Sequence, residues 1–348
     1  MKVLVTGHKG YIGTILVPML QDQGHKVHGL DNDLFRNCTF GGLHQIIPET
    51  IKDIRDIDIS DVEGFDAVIH LAGLSNDPLG NLNPELTFQI NHQASVRLAK
   101  LAKSSGVERF LFSSSCSTYG ASGTDDWLTE NAPLSPVTPY AQSKVFVEQD
   151  VSRLADAHFH PVFLRNSTAF GVSPRQRFDL VLNNLVAWAY TTGKVLLKSN
   201  GMSWRPIVHI EDISRAFTAL LTAPLKAIHN EAFNIGRNQD NYRIKDIAAM
   251  VAEVVPGSRV ELSENNLPDA RNYKVDASKI QKLIPEFKPQ WNGIKGVGQL
   301  LDAYRQTGLS LEEFEGIKYQ RVGHIKYLLS NNLINKDLYW VKETKNAI

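Results

Sequence analysis

The chain begins with an apolar segment that leads directly into a glycine-rich turn and a helical pattern. Residues 2–6 have the length and composition of a buried strand, and Gly7, Gly10 and Gly13 follow at intervals of three. Apolar residues then recur at helical spacing over residues 12–20. A strand, a glycine turn and a helix N-terminus in this order form a cradle for a diphosphate, because backbone N–H groups face the anion. The sequence therefore predicts a dinucleotide site.

An acidic residue ends the second predicted strand. Residues 26–30 are strand-like and are followed by Asp31 and Asn32. A carboxylate at this place accepts hydrogen bonds from both hydroxyls of an adenosine ribose and repels a 2′-phosphate, which favours NAD over NADP. Arg36 is the early cation that an NADP enzyme would use. The alternative is a glycine turn in an unrelated α/β protein.

Composition excludes several classes. The 348 residues suffice for one large or two modest domains, and 37 basic residues balance 37 acidic ones, so no net charge attracts nucleic acid. Two cysteines, Cys38 and Cys116, are too few for a disulfide framework, and no paired motif predicts a metal site. We find no secretory signal and no apolar run of membrane-spanning length, so we expect a soluble cytoplasmic protein.

Hydroxyl side chains follow the strand predicted at residues 109–112. Residues 113–118 read Ser-Ser-Ser-Cys-Ser-Thr. Ligands of an open parallel sheet bind at the carboxyl ends of its strands, so these hydroxyls are expected to face the same crevice as the glycine turn. Ser115 is our candidate for a catalytic hydroxyl.

A helix predicted to begin at Thr138-Pro139 carries Tyr140 and Lys144, which share one face because they are four residues apart. An ammonium group one turn away, together with a nicotinamide cation, would stabilise the phenolate and lower the pKa of the tyrosine from about 10. The pattern predicts Tyr140 as a base and Lys144 as its partner, which would also hold the nicotinamide ribose. A chance occurrence of Tyr-X-X-X-Lys is the alternative.

These motifs together resemble the extended short-chain dehydrogenase/reductase family, in particular its nucleotide-sugar epimerases, dehydratases and 4-ketoreductases. Asp53-Ile54, His70-Leu-Ala72 and the segment from Trp204 to Asp212 extend the resemblance over nearly the whole chain. The resemblance implies an α/β fold: a Rossmann-type doubly wound parallel sheet with a smaller α/β substrate-binding region on the C-terminal side.

The resemblance also implies a division of the chain. Residues 1–170 would form the NAD-binding Rossmann domain, with further sheet elements returning at about 205–240. Residues 171–315 would mainly bind the nucleotide sugar, and residues 316–348 would form a helical tail. Apolar residues in the tail have helical spacing, and the aromatic pair Tyr339-Trp340 is expected to pack back on the body and not to bind a ligand.

The cofactor and substrate residues follow from the same resemblance. NAD would be bound by Gly7, Gly10, Tyr11, Ile12, Gly13, Asp31, Asn32, Asp53, Ile54, Leu71, Ala72, Gly73, Asn91, Ser113, Tyr140 and Lys144. A nucleotide-diphosphate sugar would be bound by Ser75, Ser115, Cys116, Ser117, Asn166, Thr168, Arg175, Arg177, Arg205 and Arg271.

Several of these assignments have alternatives. Cys116 is better explained as a buried small apolar residue, and the segment of Arg175 and Arg177 would otherwise be a solvated turn. Arg205 would contact the substrate diphosphate, or pair with Glu211 or Asp212. Relatives place a phosphate-binding arginine where this chain has Asn266, so Arg271 is predicted to replace it. Asn91 would bind the cofactor or support the active site, or it would be a solvent-facing or locally bonded residue. His70 is expected to be a buried strand histidine that bonds to backbone.

Departures from the family pattern narrow the chemistry. Relatives that remove water across carbons 5 and 6 place Asp-Glu directly after the catalytic hydroxyl, where this chain has Cys116 and Ser117. Relatives that epimerise carbons 3 and 5 use a cysteine at the position of Ser117. We therefore expect hydride transfer at sugar carbon 4, by a 4-epimerase or a dehydrogenase or ketoreductase.

Other interpretations stay open at this stage. A dehydratase or 3,5-epimerase is the alternative within the family, and a catalytically idle NAD-binding regulatory protein is the alternative outside it. The sequence has no basic stripe of the kind that binds nucleic acid, so nucleic-acid binding has no support. The family resemblance implies a homodimer. The nucleotide base, the sugar and the direction of hydride transfer are not encoded in these motifs.

Overall fold

The computed structural model describes residues 1–42, 47–120, 126–263 and 271–341. Its strands are β1 (Lys2–Thr6), β2 (Lys26–Asp31), β3 (Glu49–Ile51), β4 (Ala67–His70), β5 (Arg109–Ser115), β6 (Trp127–Leu128), β7 (His160–Asn166), β8 (Thr168–Phe170), β9 (Lys194–Leu197), β10 (Trp204–His209), β11 (Glu231–Ile235), β12 (Asn241–Arg243), β13 (Arg259–Leu262) and β14 (Lys274–Val275).

The α-helices alternate with these strands in the first half of the chain. They are α1 (Gly13–Asp22), α2 (Asp77–Gly80), α3 (Pro84–Phe88), α4 (Ala94–Ser104), α5 (Pro139–Ser152), α6 (Val181–Thr192), α7 (Ile210–Thr222), α8 (Leu225–Ile228), α9 (Ile244–Val254), α10 (Ser278–Leu283), α11 (Gly293–Thr307), α12 (Leu311–Glu315) and α13 (Arg321–Ser330).

The main sheet has seven parallel strands in the order β11-β7-β5-β4-β1-β2-β3. The strand order reverses between β1 and β4, and at such a reversal the carboxyl ends of neighbouring strands open a crevice in which ligands bind. This arrangement confirms the predicted Rossmann-type α/β fold. It also brings the turn after β1 close to the serines that end β5.

The sheet is covered on both faces. Leu4 of β1 belongs to an apolar core that includes residues of α4 and α5, whereas Val3 and Val5 belong to a second core with residues of α1 and α7. Successive side chains of a strand point to opposite faces, so a strand buried on both faces reads as a continuous apolar run. This explains why β1 lacks polar alternation.

A second group of elements adjoins the main sheet. Strand β10 lies between β12, which is antiparallel to it, and β8, which is parallel, and β9 pairs with β13. Residues of α6, α9 and α11 form a third apolar core beside these small sheets. The cation-bearing segments around residues 177, 205 and 271 are carried by this part of the chain or by its borders.

The C-terminal residues pack back on the body, as the sequence predicted. Val297 and Tyr304 of α11 are buried in the third core, and Ile325 and Leu328 of α13 are buried in the first. Trp340 forms an isolated bridge and lies against the first core. Throughout the described ranges, no helix is long and apolar enough to cross a membrane.

Candidate active site

The glycine turn is packed too tightly for side chains at two of its positions. Gly7 has φ +74°, and a Cβ atom there would lie 2.7 Å from the backbone nitrogen of Ala72. A Cβ atom at Gly13 would lie 2.5 Å from the carbonyl oxygen of Gly7. The first turn of α1 therefore sits directly on the ends of β1 and β4. A diphosphate can reach the backbone there, so the turn fits the dinucleotide that the sequence predicted.

Asp31 is fixed by two backbone donors. The N–H groups of Lys9 and Asp33 donate to its two carboxylate oxygens at 3.0 and 2.8 Å. Burial raises the pKa of the Asp31 carboxyl above its usual range. Nearby, the Asn32 amide donates to Asp53 at 3.1 Å. The acid is thereby oriented at the end of β2, with lone pairs left for the hydroxyls of a ribose.

A single cavity of about 980 Å³ runs along the crevice. It is lined by the glycine turn, by Asp31 and Asp53, and by the catalytic candidates Ser115, Tyr140 and Lys144. The predicted substrate residues that also line it are Ser75, Ser117, Asn166, Thr168, Arg177, Arg205 and Arg271. Residues from both halves of the sequence thus meet in one space.

Tyr140 and Lys144 enter this cavity from the first turns of α5. Thr138 caps the helix by accepting a hydrogen bond from the backbone N–H of Ala141 at 3.2 Å, as its sequence position predicted. Ser115, at the end of β5, lies close enough to Tyr140 to lower the pKa of its phenol in part. Nζ of Lys144 donates to the carbonyl oxygen of Ser113 at 2.8 Å. The three predicted catalytic side chains are therefore assembled.

The predicted lowering of the tyrosine pKa requires a bound nicotinamide cation and stays a prediction. Without a cofactor, burial raises the pKa of Tyr140 to about 12, although Ser115 and the charge of Arg177 act in the opposite direction. Nζ of Lys144 lies 5.7 Å from the centroid of the tyrosine ring. Burial also lowers the pKa of Lys144 to about 8. The low dielectric around both groups outweighs the attraction expected from their spacing.

Replacing Lys144 with methionine should stabilise the ligand-free protein. Burial of the ammonium lowers its pKa from 10.5 to about 8. The unfolded chain binds more protons between these values, so the destabilisation is fully present below pH 8 and fades toward 10.5. Allowing for the lost hydrogen bond to Ser113, we expect a gain of about 1–2 kcal/mol at neutral pH. Thermal unfolding at pH 7 measures it.

The matched control is Lys100→Met, because Lys100 is exposed on α4. This substitution should leave the melting temperature nearly unchanged. The difference between wild type and Lys144→Met should shrink at pH 9.5, since the buried amine is then largely neutral. A Lys144→Met protein less stable than wild type at pH 7 would contradict the assignment of a costly buried charge.

Within the described residues, four side chains that line the cavity have a buried polar atom without a hydrogen-bond partner: Ser117, Asn166, Trp188 and Arg321. The two atoms nearest the serines that end β5 are Oγ of Ser117 and Oδ1 of Asn166. The amide nitrogen of Asn166 donates to Oγ of Ser113 at 3.1 Å, which orients its oxygen. Buried polar atoms in folded proteins nearly always have partners, so these two mark places where a polar ligand binds.

Arg205 and Arg271 border the cavity together. Nη1 of Arg205 donates to the carbonyl oxygen of Arg271 at 3.0 Å, and Arg271 pairs with Asp77 at 2.6 Å. Glu211 and Asp212, the alternative partners of Arg205, pair with Arg215 instead. The position of Asn266 lies outside the described residues.

Arg177 forms a second cationic wall. It pairs with Asp179 at 2.9 Å and donates to Oγ of Ser75 at 3.0 Å. Asp179 also accepts a hydrogen bond from Asn76. Arg177 is buried and lies near Tyr140, whose pKa it lowers in part. The segment after β8 thus contributes a charge beside Tyr140, the candidate base.

Three predicted site residues do not line the cavity. Arg175 donates to the carbonyl oxygens of Phe35 and Arg36, so its guanidinium ties two loops together. Cys116 is buried, donates to the carbonyl oxygen of Arg165 and has a pKa raised by burial to about 12. Their prediction as substrate residues is therefore corrected.

Asn91, predicted to bind the cofactor, is the third residue that does not line the cavity. Its amide donates to the carbonyl oxygen of Leu74 at 2.9 Å and accepts from the N–H of the same residue at 2.7 Å. It supports the loop after β4 and is not itself exposed to the cofactor space. His70 is buried as predicted, but its partners are the hydroxyls of Thr6 and Ser95.

Sequence reasoning missed six charged residues that line the cavity, namely Lys52, Asp77, Asp179, Lys198, Glu315 and Arg321. Asp77 and Asp179 stand next to predicted residues, so their polar neighbourhood was the available signal. Arg321 gives no local signal, because nothing in its surrounding sequence points to a ligand. Only the packing of the C-terminal residues reveals it.

Fold and site together define an enzyme of the extended short-chain dehydrogenase/reductase type. The chain belongs to the NAD dependent epimerase/dehydratase family, whose model matches residues 3–236. The predicted recognition, enzyme class and NAD cofactor are confirmed by this match and by the similar proteins described next.

The names of the similar proteins refer to nucleotide sugars. UDP-glucose 4-epimerase of Bacillus subtilis (strain 168) is 29% identical over 264 residues, which cover 68% of this chain and 77% of that protein. dTDP-D-glucose 4,6-dehydratase of Mus musculus is 26% identical over 328 residues, which cover 88% and 89%. The solved structure of MoeE5 in complex with UDP-glucuronic acid and NAD is 25% identical, with a TM-score of 0.77, and covers 88% of this chain and 100% of that chain.

Proposed function

We propose that this enzyme transfers a hydride between NAD and carbon 4 of a nucleotide-diphosphate sugar, as a 4-epimerase or a 4-ketoreductase or dehydrogenase. The observation that carries the proposal is that Tyr140, Ser115 and Lys144 line the same cavity as the glycine turn and Asp31. A sugar hydroxyl placed against Tyr140 and Ser115 lies within reach of both a proton acceptor and an orienting donor.

Each residue of the triad has a distinct task. Tyr140 takes the proton from the sugar hydroxyl as its oxygen becomes a carbonyl, and Ser115 hydrogen-bonds the same oxygen. Lys144 holds a positive charge near the tyrosine and fixes the ribose of the cofactor. NAD supplies the hydride acceptor when it is bound. Arg205 and Arg271 bind the substrate diphosphate, because planar guanidinium groups match phosphate oxygens.

Proton shuttling for a dehydratase has less support. Cys116 is buried away from the cavity, and Ser117 presents a hydroxyl where dehydratase relatives carry a carboxylate. The cavity carboxylates of Asp77 and Asp179 are both paired with arginines. An idle NAD-binding protein has no need of an assembled triad, so catalysis is the better proposal.

A panel of nucleotide sugars tests the reaction. UDP-glucose and UDP-glucuronic acid come first, because similar proteins are named for these sugars or bind them. Net accumulation of reduced nicotinamide with a keto product identifies a dehydrogenase, and a 4-epimer without net reduction identifies an epimerase. A 4-keto-6-deoxy product would overturn the proposal in favour of a dehydratase.

A homodimer is part of the same proposal. Phe146 of α5 is 40% exposed and stacks on Phe88, with 5.8 Å between ring centroids. A second copy of this chain would cover this apolar pair, as the family resemblance implies for these helices. Phe146→Glu should then convert a dimer into a monomer, measured by light scattering after size exclusion. A monomeric wild type would contradict the proposal.

A further inference from the structure

The C-terminal segment, residues 311–341, packs against loops that border the cofactor end of the cavity. Nε1 of Trp340 donates to the carbonyl oxygen of Asn32 at 2.7 Å. The hydroxyl of Tyr339 donates to the carboxylate of Asp56 at 3.2 Å. The segment therefore contacts the loops that follow β2 and β3, next to the residues predicted to bind the ribose.

Arg321 is the residue by which this segment reaches the cavity itself. It is 4% exposed and lines the cavity. Its guanidinium lies 3.9 Å from the centroid of the Phe35 ring, and Nη2 donates to the carbonyl oxygen of Arg175 at 3.1 Å. Nη1 is buried and has no hydrogen-bond partner. A buried donor without a partner is rare and costly.

The charges around Arg321 do not balance. Arg175 pairs with Asp33 at 3.1 Å, and Arg177 pairs with Asp179 at 2.9 Å. Arg321 has no carboxylate partner within 4.0 Å in the described part of the chain. Burial and the two neighbouring arginines lower the pKa of Arg321 to about 10. An uncompensated buried cation calls for an anionic ligand.

The position of Arg321 indicates which anion. Oγ of Ser173 donates to the carbonyl oxygen of Tyr11 at 2.9 Å and lies 3.0 Å from Oγ1 of Thr14. Arg175, whose carbonyl oxygen accepts from Arg321, donates its own N–H to the same serine at 3.2 Å. The guanidinium is thus fastened, through one loop, to the glycine turn and the first turn of α1.

We infer that Arg321 binds the diphosphate of NAD, so that the C-terminal segment forms part of the cofactor site. The turn itself offers only backbone N–H groups and a helix terminus worth about half a charge. Its own cation, Lys9, is paired with Asp33 and Glu49. A guanidinium supplies both the missing charge and a fork that matches phosphate oxygens. This inference requires NAD and is independent of the reaction proposed above.

Arg321→Gln tests the inference by binding, without turnover. Protein freed of nucleotide is titrated calorimetrically with adenosine, ADP-ribose, NAD, NADP and UDP. The substitution should weaken the binding of ADP-ribose and of NAD roughly ten- to hundredfold. The binding of adenosine should weaken less than twofold, because only the diphosphate loses a charged partner. The ligand-free variant should melt at the wild-type temperature or above, since a buried unpaired charge is removed.

Arg36→Gln is the matched control, because Arg36 stacks on Trp340 in the same contact, 3.7 Å from its ring centroid, and does not line the cavity. It should leave ADP-ribose binding unchanged. Should Arg321→Gln fail to fold, Arg321→Lys keeps the charge and should lose roughly three- to tenfold in ADP-ribose affinity. Unchanged ADP-ribose binding, an equal loss for adenosine, or a loss confined to UDP or to NADP would each overturn the inference.

Discussion

Tyr140→Phe should lower turnover of the nucleotide sugar by roughly a thousandfold while leaving NAD binding within a few-fold of wild type. General acid–base catalysis by a positioned side chain contributes about 10²–10⁴ in rate. The phenol lines the cavity together with Ser115, so its removal deletes the proton acceptor without altering the glycine turn or Asp31. Steady-state turnover and calorimetric NAD affinity measure the two effects separately.

Tyr273→Phe provides the control for the loss of a phenol as such. Tyr273 is also buried and lines the same cavity, but it lies under the guanidinium of Arg205, 5.5 Å from its ring centroid. Its substitution should change turnover by less than tenfold. If Tyr140→Phe kept more than a tenth of the wild-type kcat, Tyr140 would not be the base.

The pH dependence of the wild type follows from the same site. Because burial places the pKa of Tyr140 at about 12, only a small fraction is ionised at neutral pH, and this fraction grows tenfold per pH unit. The logarithm of kcat/KM should therefore rise with a slope near one from pH 6 to 8. Lys144 loses its proton at about 8, so the profile should flatten above that value. The residual activity of Tyr140→Phe should not show this rise.

The sequence predicts the local parts of this site well. The glycine turn, Asp31, Ser115, Tyr140 and Lys144 each depend on short-range spacing along one strand end or one helix turn, and the fold brings them together as expected. Parallel strands carry their ends to one edge, so neighbours in the crevice follow from the fold class alone. Such residues are recoverable without coordinates.

The long-range parts are not recoverable in this way. Arg175 and Arg177 look equivalent in sequence. Arg175, however, hydrogen-bonds to the backbone at residues 35–36, whereas Arg177 lines the cavity. Which arginine faces a ligand depends on packing between segments about 140 residues apart. Arg321 is the extreme case, because its only clue is a tertiary contact. The pKa of Tyr140 without a cofactor is a related case, because helical spacing reports proximity to Lys144 and not the burial of both groups.

Asp31→Asn should weaken NAD binding roughly 30- to 150-fold. An ionised carboxylate that accepts from both ribose hydroxyls contributes about 2–3 kcal/mol beyond a neutral amide, which has one acceptor oxygen only. The N–H groups of Lys9 and Asp33 hold both oxygens in place, so an amide nitrogen would also face one of these donors. Selectivity for NAD over NADP should fall too, because the charge that repels a 2′-phosphate is gone. Calorimetric titration with both cofactors measures the change.

The pH dependence of cofactor affinity distinguishes the charge of Asp31 from its shape. Burial raises the pKa of this carboxyl, so protons compete with the ribose hydroxyls as the pH falls toward it. Wild-type affinity for NAD should therefore decrease as the pH is lowered from neutral toward this raised pKa, whereas the affinity of Asp31→Asn should stay flat over the same range. Asp22→Asn, at the exposed end of α1, should behave as wild type. An Asp31→Asn protein that binds NAD within threefold of wild type, or that keeps the same pH dependence, would show that another group recognises the ribose.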